Sequence, residues 1–214
     1  MQLRWLGHST FELRADVGTV VFEPFPGLLR PGHAFDPNTV VTVSSARLDR
    51  AALAGLPESV RVLQGPGEYE VSGLAVRGVP TPLEDPDDPR LINTVYVAAA
   101  EGLNVCHLGT LRSRPSAQAL QLIGRVDVLM VPAAGDDPPA EVTAAAVREI
   151  EPTIILPMGC GPGGVATPAV SSLLSELGTT AGDPVSRLVV TRSNLGEEQR
   201  VVLLSLQDAG GPAR

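Results

Sequence analysis

The chain has 214 residues, 43% of them apolar, which is enough to bury a sizeable core as one large domain or two small ones. A net charge of −8 without any basic run disfavours binding to nucleic acid or to an anionic membrane surface. Every basic side chain is Arg, which excludes lysine Schiff-base chemistry. No apolar run reaches the ~20 residues of a membrane-spanning helix, and the first residues lack the pattern of a signal peptide, so we expect a cytoplasmic location.

The first half of the chain is predicted to form short strands separated by turns. Residues 15–18 are typical of a hairpin turn, so the first strands should form a meander. Residues 24–37 and 81–90 are rich in Pro, Gly or acidic side chains and are predicted to be loops. A short helix is expected to begin at Asp49. The predicted strands of this half cover residues 3–5, 10–13, 19–22, 40–43, 60–63, 69–71, 74–77 and 95–98.

The second half is predicted to alternate between strands and helices. The third helix should end at Gly178, because glycine is favoured just past a helix C-terminus. Meanders followed by alternating units predict two sheets that face each other, with helices outside. We expect one domain at residues 1–207 and a disordered tail at 208–214. The predicted strands cover residues 103–108, 126–131, 153–156, 187–191 and 200–204, and the predicted helices cover residues 116–123, 140–150 and 168–177.

Several sequence blocks, taken together and in order, resemble a known family. The blocks are W-L-G-H-S-T-F at 5–11, G-P-G-E-Y-E-V at 65–71, R-G-V-P-T at 77–81, N-T-V-Y-V at 93–97, V-C-H-L-G at 105–109, V-D-V-L-M-V-P at 126–132 and E-P-T-I-I-L-P-M at 151–158. They are similar to blocks of the metal-dependent hydrolases of the metallo-β-lactamase fold, in the branch that includes ascorbate-6-phosphate lactonase-like proteins. The resemblance implies an α+β fold built as a four-layer αββα sandwich.

The same resemblance implies a two-metal site whose ligand positions this chain has mostly lost. The family motif H-x-H-x-D-H has Ser45, Arg47 and Arg50 at its three histidine positions, and only its aspartate is kept, as Asp49. A catalytic zinc needs at least about three protein ligands, and two arginines repel a cation. We therefore predict no bound metal, although zinc or manganese is expected of the family, and no other cofactor. The vestigial ligand positions, which also define the candidate cleft, are Ser45, Arg47, Asp49, Arg50, Leu83, Thr110 and Gly159.

Three hypotheses about function remain open. The favoured one is a non-catalytic pseudo-hydrolase that binds a protein partner or a small anionic ligand in the remodelled, metal-free cleft. The second is a hydrolase of a phosphoester or lactone with an altered or metal-independent site that uses Asp49, His8 or Cys160. The third is an interaction or assembly subunit that is retained for oligomerisation with an active paralogue, and a homo-oligomer is also expected by analogy with the family.

The candidate site residues each have a structural alternative. Asp49 with Arg47 and Arg50 forms either an anion-binding cup at a helix start or a structural ion-pair cluster, and we favour the cluster. His8 lies in a Gly-His-Ser turn and is interpreted as a structural residue. Cys160 follows the last lost ligand in an exposed-looking turn, and as a nucleophile it would require a thiolate and a base.

Overall fold

The computed structural model describes residues 1–25, 35–45, 53, 56–83, 92–133 and 138–206. This part of the chain forms two mixed sheets with three α-helices, none of them long and apolar enough to cross a membrane. The strands are β1 (Gln2–Gly7), β2 (Thr10–Ala15), β3 (Gly18–Phe22), β4 (Thr39–Val43), β5 (Arg61–Gln64), β6 (Gly67–Val71), β7 (Leu74–Pro82), β8 (Ile92–Ala100), β9 (Leu103–His107), β10 (Val128–Val131), β11 (Ile154–Pro157), β12 (Leu188–Val189) and β13 (Arg200–Val201). The helices are α1 (Ala117–Ile123), α2 (Ala140–Ile150) and α3 (Pro168–Leu177), and a 3₁₀ turn covers Pro162–Gly164.

Sheet 1 has the strand order β12-β1-β2-β3-β4-β5, and sheet 2 has the order β13-β11-β10-β9-β8-β7-β6. In sheet 1, β1 to β3 form the predicted antiparallel meander, and β4 and β5 then join in parallel. In sheet 2, β6 to β9 form an antiparallel meander, whereas β9, β10 and β11 are parallel and are connected through α1 and α2. The predicted change from meanders to alternating units therefore occurs inside one sheet.

The two sheets face each other across the main apolar core, because strand residues alternate between the two faces of a sheet. Trp5, Phe11 and Phe22 of sheet 1 meet Tyr96 and Met130 of sheet 2 in this core. All three helices pack on the other face of sheet 2. These features confirm the predicted α+β class, with two sheets that face each other and helices outside.

A separate, smaller apolar cluster lies on the outer face of sheet 1. Val21, Val41 and Val43 pack there against partly buried apolar residues that include Leu53 and Leu56. The helix predicted from Asp49 lies outside the described residues, apart from Leu53.

Several predicted boundaries are wrong. The loop predicted from residue 81 starts too early, because Thr81 and Pro82 still pair with β8. Strand β7 continues past Pro80, which lies opposite Thr94, and ends at Pro82. The N–H of Thr94 donates to Ser44 O, beside sheet 1, at 2.7 Å and so does not need a partner on β7. The strands predicted at 187–191 and 200–204 shorten to two residues each, as is common at sheet edges.

Tyr96 ties the two sheets together at the end where the cleft lies. Its side chain belongs to β8 of sheet 2, and its hydroxyl reaches Val43 O at 3.1 Å and Leu63 O at 3.0 Å in sheet 1. Gly65 O lies 3.3 Å from the same hydroxyl. The carboxyl ends of β4 and β5 are therefore held against sheet 2 by a buried polar contact as well as by apolar packing.

Candidate ligand cleft

A cavity of about 270 Å³ opens where the turn between β1 and β2 meets the carboxyl ends of β9, β10 and β11. Parallel strands place their carboxyl ends at one edge of a sheet, so the loops that follow β9, β10 and β11 converge there. The described lining residues are His8, Ser9, Gly109, Thr110, Arg112, Pro132, Pro138, Met158 and Gly159.

Asn93 of β8 fixes the loop that follows β9. Its fully buried side-chain amide donates to Thr81 Oγ1 at 2.8 Å and to Leu108 O at 2.9 Å. Its Oδ1 accepts the N–H of Thr110 at 2.8 Å and faces the Thr110 hydroxyl at 3.2 Å. Because a buried amide must satisfy both its donors and its acceptor, this network fixes the position of Thr110 at the cavity.

Gly109 lies beside this network at a position where there is no room for a side chain. Its φ is +62°, and a Cβ on this residue would lie 2.4 Å from Asn93 Oδ1 and 2.5 Å from Ser44 Cβ. No other residue type fits both the backbone conformation and the space. Sheet 1, through Ser44, and sheet 2, through Asn93, therefore meet directly at the cavity wall.

His107 connects the turn between β1 and β2 to the loop that follows β9. Its Nε2–H donates to Ser9 O at 2.8 Å, and its Nδ1 accepts the N–H of Gly109 at 3.0 Å. An amide N–H can only donate, so Nδ1 is unprotonated and the ring is neutral. Burial lowers the pKa of His107 to about 4, although the hydrogen bond to Ser9 acts in the opposite direction. The ring also stacks on Phe22 at 5.4 Å.

Glu23 holds the end of β4. Its buried carboxyl accepts the N–H of Ser44 at 2.8 Å, and its backbone has a φ of +49°, which is uncommon for a side chain of this kind. Burial raises the pKa of Glu23, while the hydrogen bond from the Ser44 N–H acts in the opposite direction. Glu23 therefore anchors the chain directly before Ser45, where the segment predicted to carry the vestigial ligands begins.

Apart from Cys160, the predicted site residues divide into three groups. His8, Thr110 and Gly159 line the cavity together. Ser45 and Leu83 are buried and are not among its described lining residues. Arg47, Asp49 and Arg50 lie outside the described residues, as does the tail at 208–214, so the proposed anion cup or ion-pair cluster stays a prediction.

His8 contributes differently through its backbone and its side chain. Its carbonyl accepts Trp5 Nε1–H at 2.9 Å and the N–H of Gly159 at 3.3 Å, which fixes the turn. Its imidazole is exposed at the cavity, with Phe25 packed edge-on at 4.4 Å. The ring is therefore available to a ligand.

Cys160 does not lie in the exposed turn that the sequence suggests. The residue is half-buried, packs against both apolar cores and is within 3.6 Å of Pro157 O through its Sγ. Burial raises the pKa of Cys160 to about 11, so the side chain is a thiol near neutral pH. It is not among the described residues that line the cavity.

The described residues at this cleft do not supply the ligands of the zinc expected of the fold. Leu83 is apolar, Gly159 has no side chain, and the Thr110 hydroxyl faces the Asn93 amide. Within the described ranges, no group of three or more His, Cys, Asp or Glu side chains is placed to hold a metal ion. Zinc sites in proteins are built from those residue types, so this part of the chain forms no zinc site by itself.

Sequence reasoning missed Arg112 and the role of Asn93. Arg112 lies three residues beyond Gly109, so extending the V-C-H-L-G block would have found it. Asn93 stands at the start of an otherwise apolar strand run, and a buried amide in such a run is a signal for a polar network.

The fold and the cleft place the chain among the metallo-β-lactamase-type proteins, and sequence comparison agrees. The family model described as "Beta-lactamase superfamily domain" matches residues 2–159, and the chain belongs to this superfamily. No curated protein matches the chain significantly.

Solved structures show the same fold over almost the whole chain. A Thermotoga maritima protein, provisionally assigned as a Zn-dependent hydrolase of the metallo-β-lactamase superfamily, is 26% identical with a TM-score of 0.76, covering 96% of this chain and 99% of its own. Igni18, a metallo hydrolase from Ignicoccus hospitalis, is 16% identical with a TM-score of 0.61, covering 95% and 94%. At that identity, the likeness to Igni18 shows the fold alone.

The pKa of His107 predicts a loss of stability in mild acid. Between the ordinary value of 6.5 and about 4, the unfolded chain binds a proton that the folded chain does not. The free energy of unfolding should therefore fall as the pH decreases through this window, by on the order of 3 kcal/mol in total.

Urea unfolding of the wild type and of His107→Gln at a series of pH values checks this expectation. In the His107→Gln variant, most of the decrease of the free energy of unfolding between about pH 6.5 and pH 4 should disappear. Glu23 is present in both chains and, because its pKa is raised, contributes a slope of opposite sign that cancels in the comparison. Equal slopes in the two chains would show that His107 is not the group responsible.

The crowding at Gly109 predicts that Gly109→Ala destabilises the protein by at least about 2 kcal/mol, since backbone strain adds to a steric clash. Gly178→Ala is the matched control. Gly178 has a similar φ of +64° in the left-handed helical region and no atom within 4 Å of an added Cβ. The Gly178→Ala variant should lose only about 1 kcal/mol for the backbone. Equal losses, measured by urea unfolding, would contradict the close packing at the cavity wall.

Proposed function

We propose that this protein is a non-catalytic member of the superfamily that binds a small anionic ligand in the cleft without a metal ion. The supporting observation is the charge of the described lining, which contains the guanidinium of Arg112 and the imidazole of His8 but no carboxylate. The chain as a whole carries a net charge of −8, so such a lining is contrary to its average composition. A guanidinium is the side chain best suited to binding a planar or tetrahedral oxyanion.

The geometry also supports binding over turnover. A metal-independent hydrolase needs an activated nucleophile next to a positioned base. Cys160 is a half-buried thiol outside the described lining. The Thr110 hydroxyl faces Asn93 Oδ1, and an amide oxygen is not a general base. A pocket lined by a guanidinium and an imidazole can bind an anion without either of these catalytic groups.

Thermal unfolding with phosphate or sulfate tests the proposal. At ten times the dissociation constant, a ligand that binds only the folded state adds about 1.4 kcal/mol of stability. For a chain of this size, that corresponds to a rise in Tm of about 3–6 °C. Chloride at matched ionic strength should give no comparable shift.

Arg112→Gln should abolish the shift, and His8→Gln should reduce it. Arg114→Gln is the matched control, because Arg114 is an exposed arginine close in sequence but outside the described lining. Equal effects of Arg112→Gln and Arg114→Gln, or the lack of any anion-specific shift, would overturn the proposal. Turnover of a generic phosphodiester or lactone that disappears in Asp49→Ala would favour the hydrolase hypothesis instead.

A further inference from the structure

Strand β6 is the last strand of sheet 2, and one of its edges has no neighbouring strand among the described residues. A two-residue turn, Ser72-Gly73, joins β6 to β7, and its residues have positive φ values of +52° and +87°. Such a turn places Val71 and Leu74 in a hydrogen-bonded pair, after which non-hydrogen-bonded and hydrogen-bonded pairs alternate along the antiparallel ladder. Glu68 and Glu70 therefore occupy non-hydrogen-bonded positions, and their backbone N–H and C=O groups point away from β7.

These backbone groups are available to another strand. Glu68 and Glu70 are both exposed, and the Glu68 side chain is 85% accessible to solvent. Neither residue takes part in the backbone hydrogen bonds that the described residues make outside strand pairing. An open edge of this kind supports β-strand addition, in which main-chain hydrogen bonds supply affinity and alternate side chains supply specificity.

The charges on this edge disfavour a second copy of β6 and favour a basic partner. Any antiparallel pairing of two β6 strands through the free groups places a glutamate directly opposite a glutamate, which is destabilising. Arg77 partly compensates Glu68, since its Nε lies 3.5 Å from that carboxylate. Glu70 has no ion pair within the described part of the chain. A cation on an added strand would therefore gain most opposite Glu70.

A groove on the outer face of sheet 2 leaves room for a long side chain beside Glu70. In the row of residues that crosses the sheet at this point, Glu70 lies opposite Ala75, which lies opposite Ala99 on β8. Both alanines are exposed and line the groove, together with Val97 and with Ile123 at the end of α1. The hydrocarbon stem of a basic residue on an added strand can pack along this row while its charge stays in water.

The arginines that line the same groove already have acceptors in this chain. Arg77 donates to Leu122 O in α1 at 2.8 Å, and Arg125 donates to the buried carboxylate of Asp127 at 3.0 Å. Among the described lining residues, Glu70 is then the charged side chain that is left for a partner.

We propose that the β6 edge binds an extended segment of another protein that carries a basic residue opposite Glu70. The segment runs antiparallel to β6, because antiparallel pairing is slightly more stable. Its basic residue and the residue two positions later exchange main-chain hydrogen bonds with Glu70 and Glu68. The residue between these two is apolar, because it points to the opposite face of the sheet, where the partly buried Tyr69 packs against the core. This surface is separate from the cleft and does not depend on the proposed function.

NMR titration of the full chain with the peptide acetyl-Thr-Lys-Val-Thr-Thr-amide tests the proposal. Its lysine is placed to lie opposite Glu70, and the threonine after valine opposite Glu68. We expect the amide signals of Glu68 and Glu70 to shift, because their N–H groups become hydrogen-bonded. The signal of Tyr69 should shift less, because its N–H already pairs with β7. A peptide with norleucine in place of lysine keeps the hydrocarbon stem and should bind about two- to five-fold more weakly.

Modified peptides separate main-chain pairing from charge. N-methylation of the lysine and of the threonine after valine removes the N–H groups that face β6, and binding should weaken at least ten-fold. N-methylation of the valine alters an N–H that points away from β6 and should have little effect. In the protein, Glu70→Gln should remove the preference for lysine over norleucine. Glu149→Gln, at an exposed glutamate of α2, is the matched control and should keep the preference.

The proposal is supported if the shifts at Glu68 and Glu70 are lost only when the facing positions of the peptide are N-methylated. Equal binding of the two N-methylated forms would overturn the strand pairing, and equal binding of the lysine and norleucine peptides would overturn the charge complementarity. The absence of shifts at the β6 edge would overturn the site. Shifts of the same signals with protein concentration alone would identify a second copy as the occupant and would also overturn the proposal.

Discussion

The buried amide of Asn93 is the interaction on which the cleft depends. It is connected to Thr81 on the neighbouring strand, to Leu108 at the end of β9 and to Thr110 at the cavity. A buried amide left without partners would cost about 1–3 kcal/mol for each group. The loop after β9 therefore has one favourable position, and the cavity wall is fixed by neutral hydrogen bonds and close packing at Gly109.

The titratable groups buried behind this wall are pushed toward their neutral forms. Burial lowers the pKa of His107 and raises that of Glu23. Both groups fix neighbouring loops through hydrogen bonds to the backbone. Among the described lining residues, the exposed polar side chains are those of His8 and Thr110 at the mouth of the cleft.

Much of the fold could be predicted from the sequence, because periodicity identifies strands and helices and the conserved order of the family blocks fixes their arrangement. The helices α1 and α3 begin after Ser116 and Thr167, whose side chains cap them, and α3 ends at the predicted Gly178. The extent of β7 could not be predicted, since the partner of the Thr94 N–H is Ser44 on the other sheet. Local sequence does not record such a contact.

The site was harder to predict than the fold. The burial of Cys160 and the role of Asn93 depend on residues distant in sequence, and a glycine-rich segment alone suggested exposure. Conversely, the positions His8, Thr110 and Gly159 could be found from sequence blocks, and the structure brings them to one cavity. The chemistry of that cavity follows from what surrounds them, above all from Arg112 and Met158.

We propose that this superfamily member keeps the cleft of its fold without the metal centre. Elemental analysis of the purified protein, before and after incubation with excess zinc and manganese followed by desalting, tests this proposal most directly. We expect less than about a tenth of an equivalent of either metal, because a metal is retained only where a complete ligand set exists. A stoichiometric metal that survives desalting would contradict it and would mean that other residues supply the ligands.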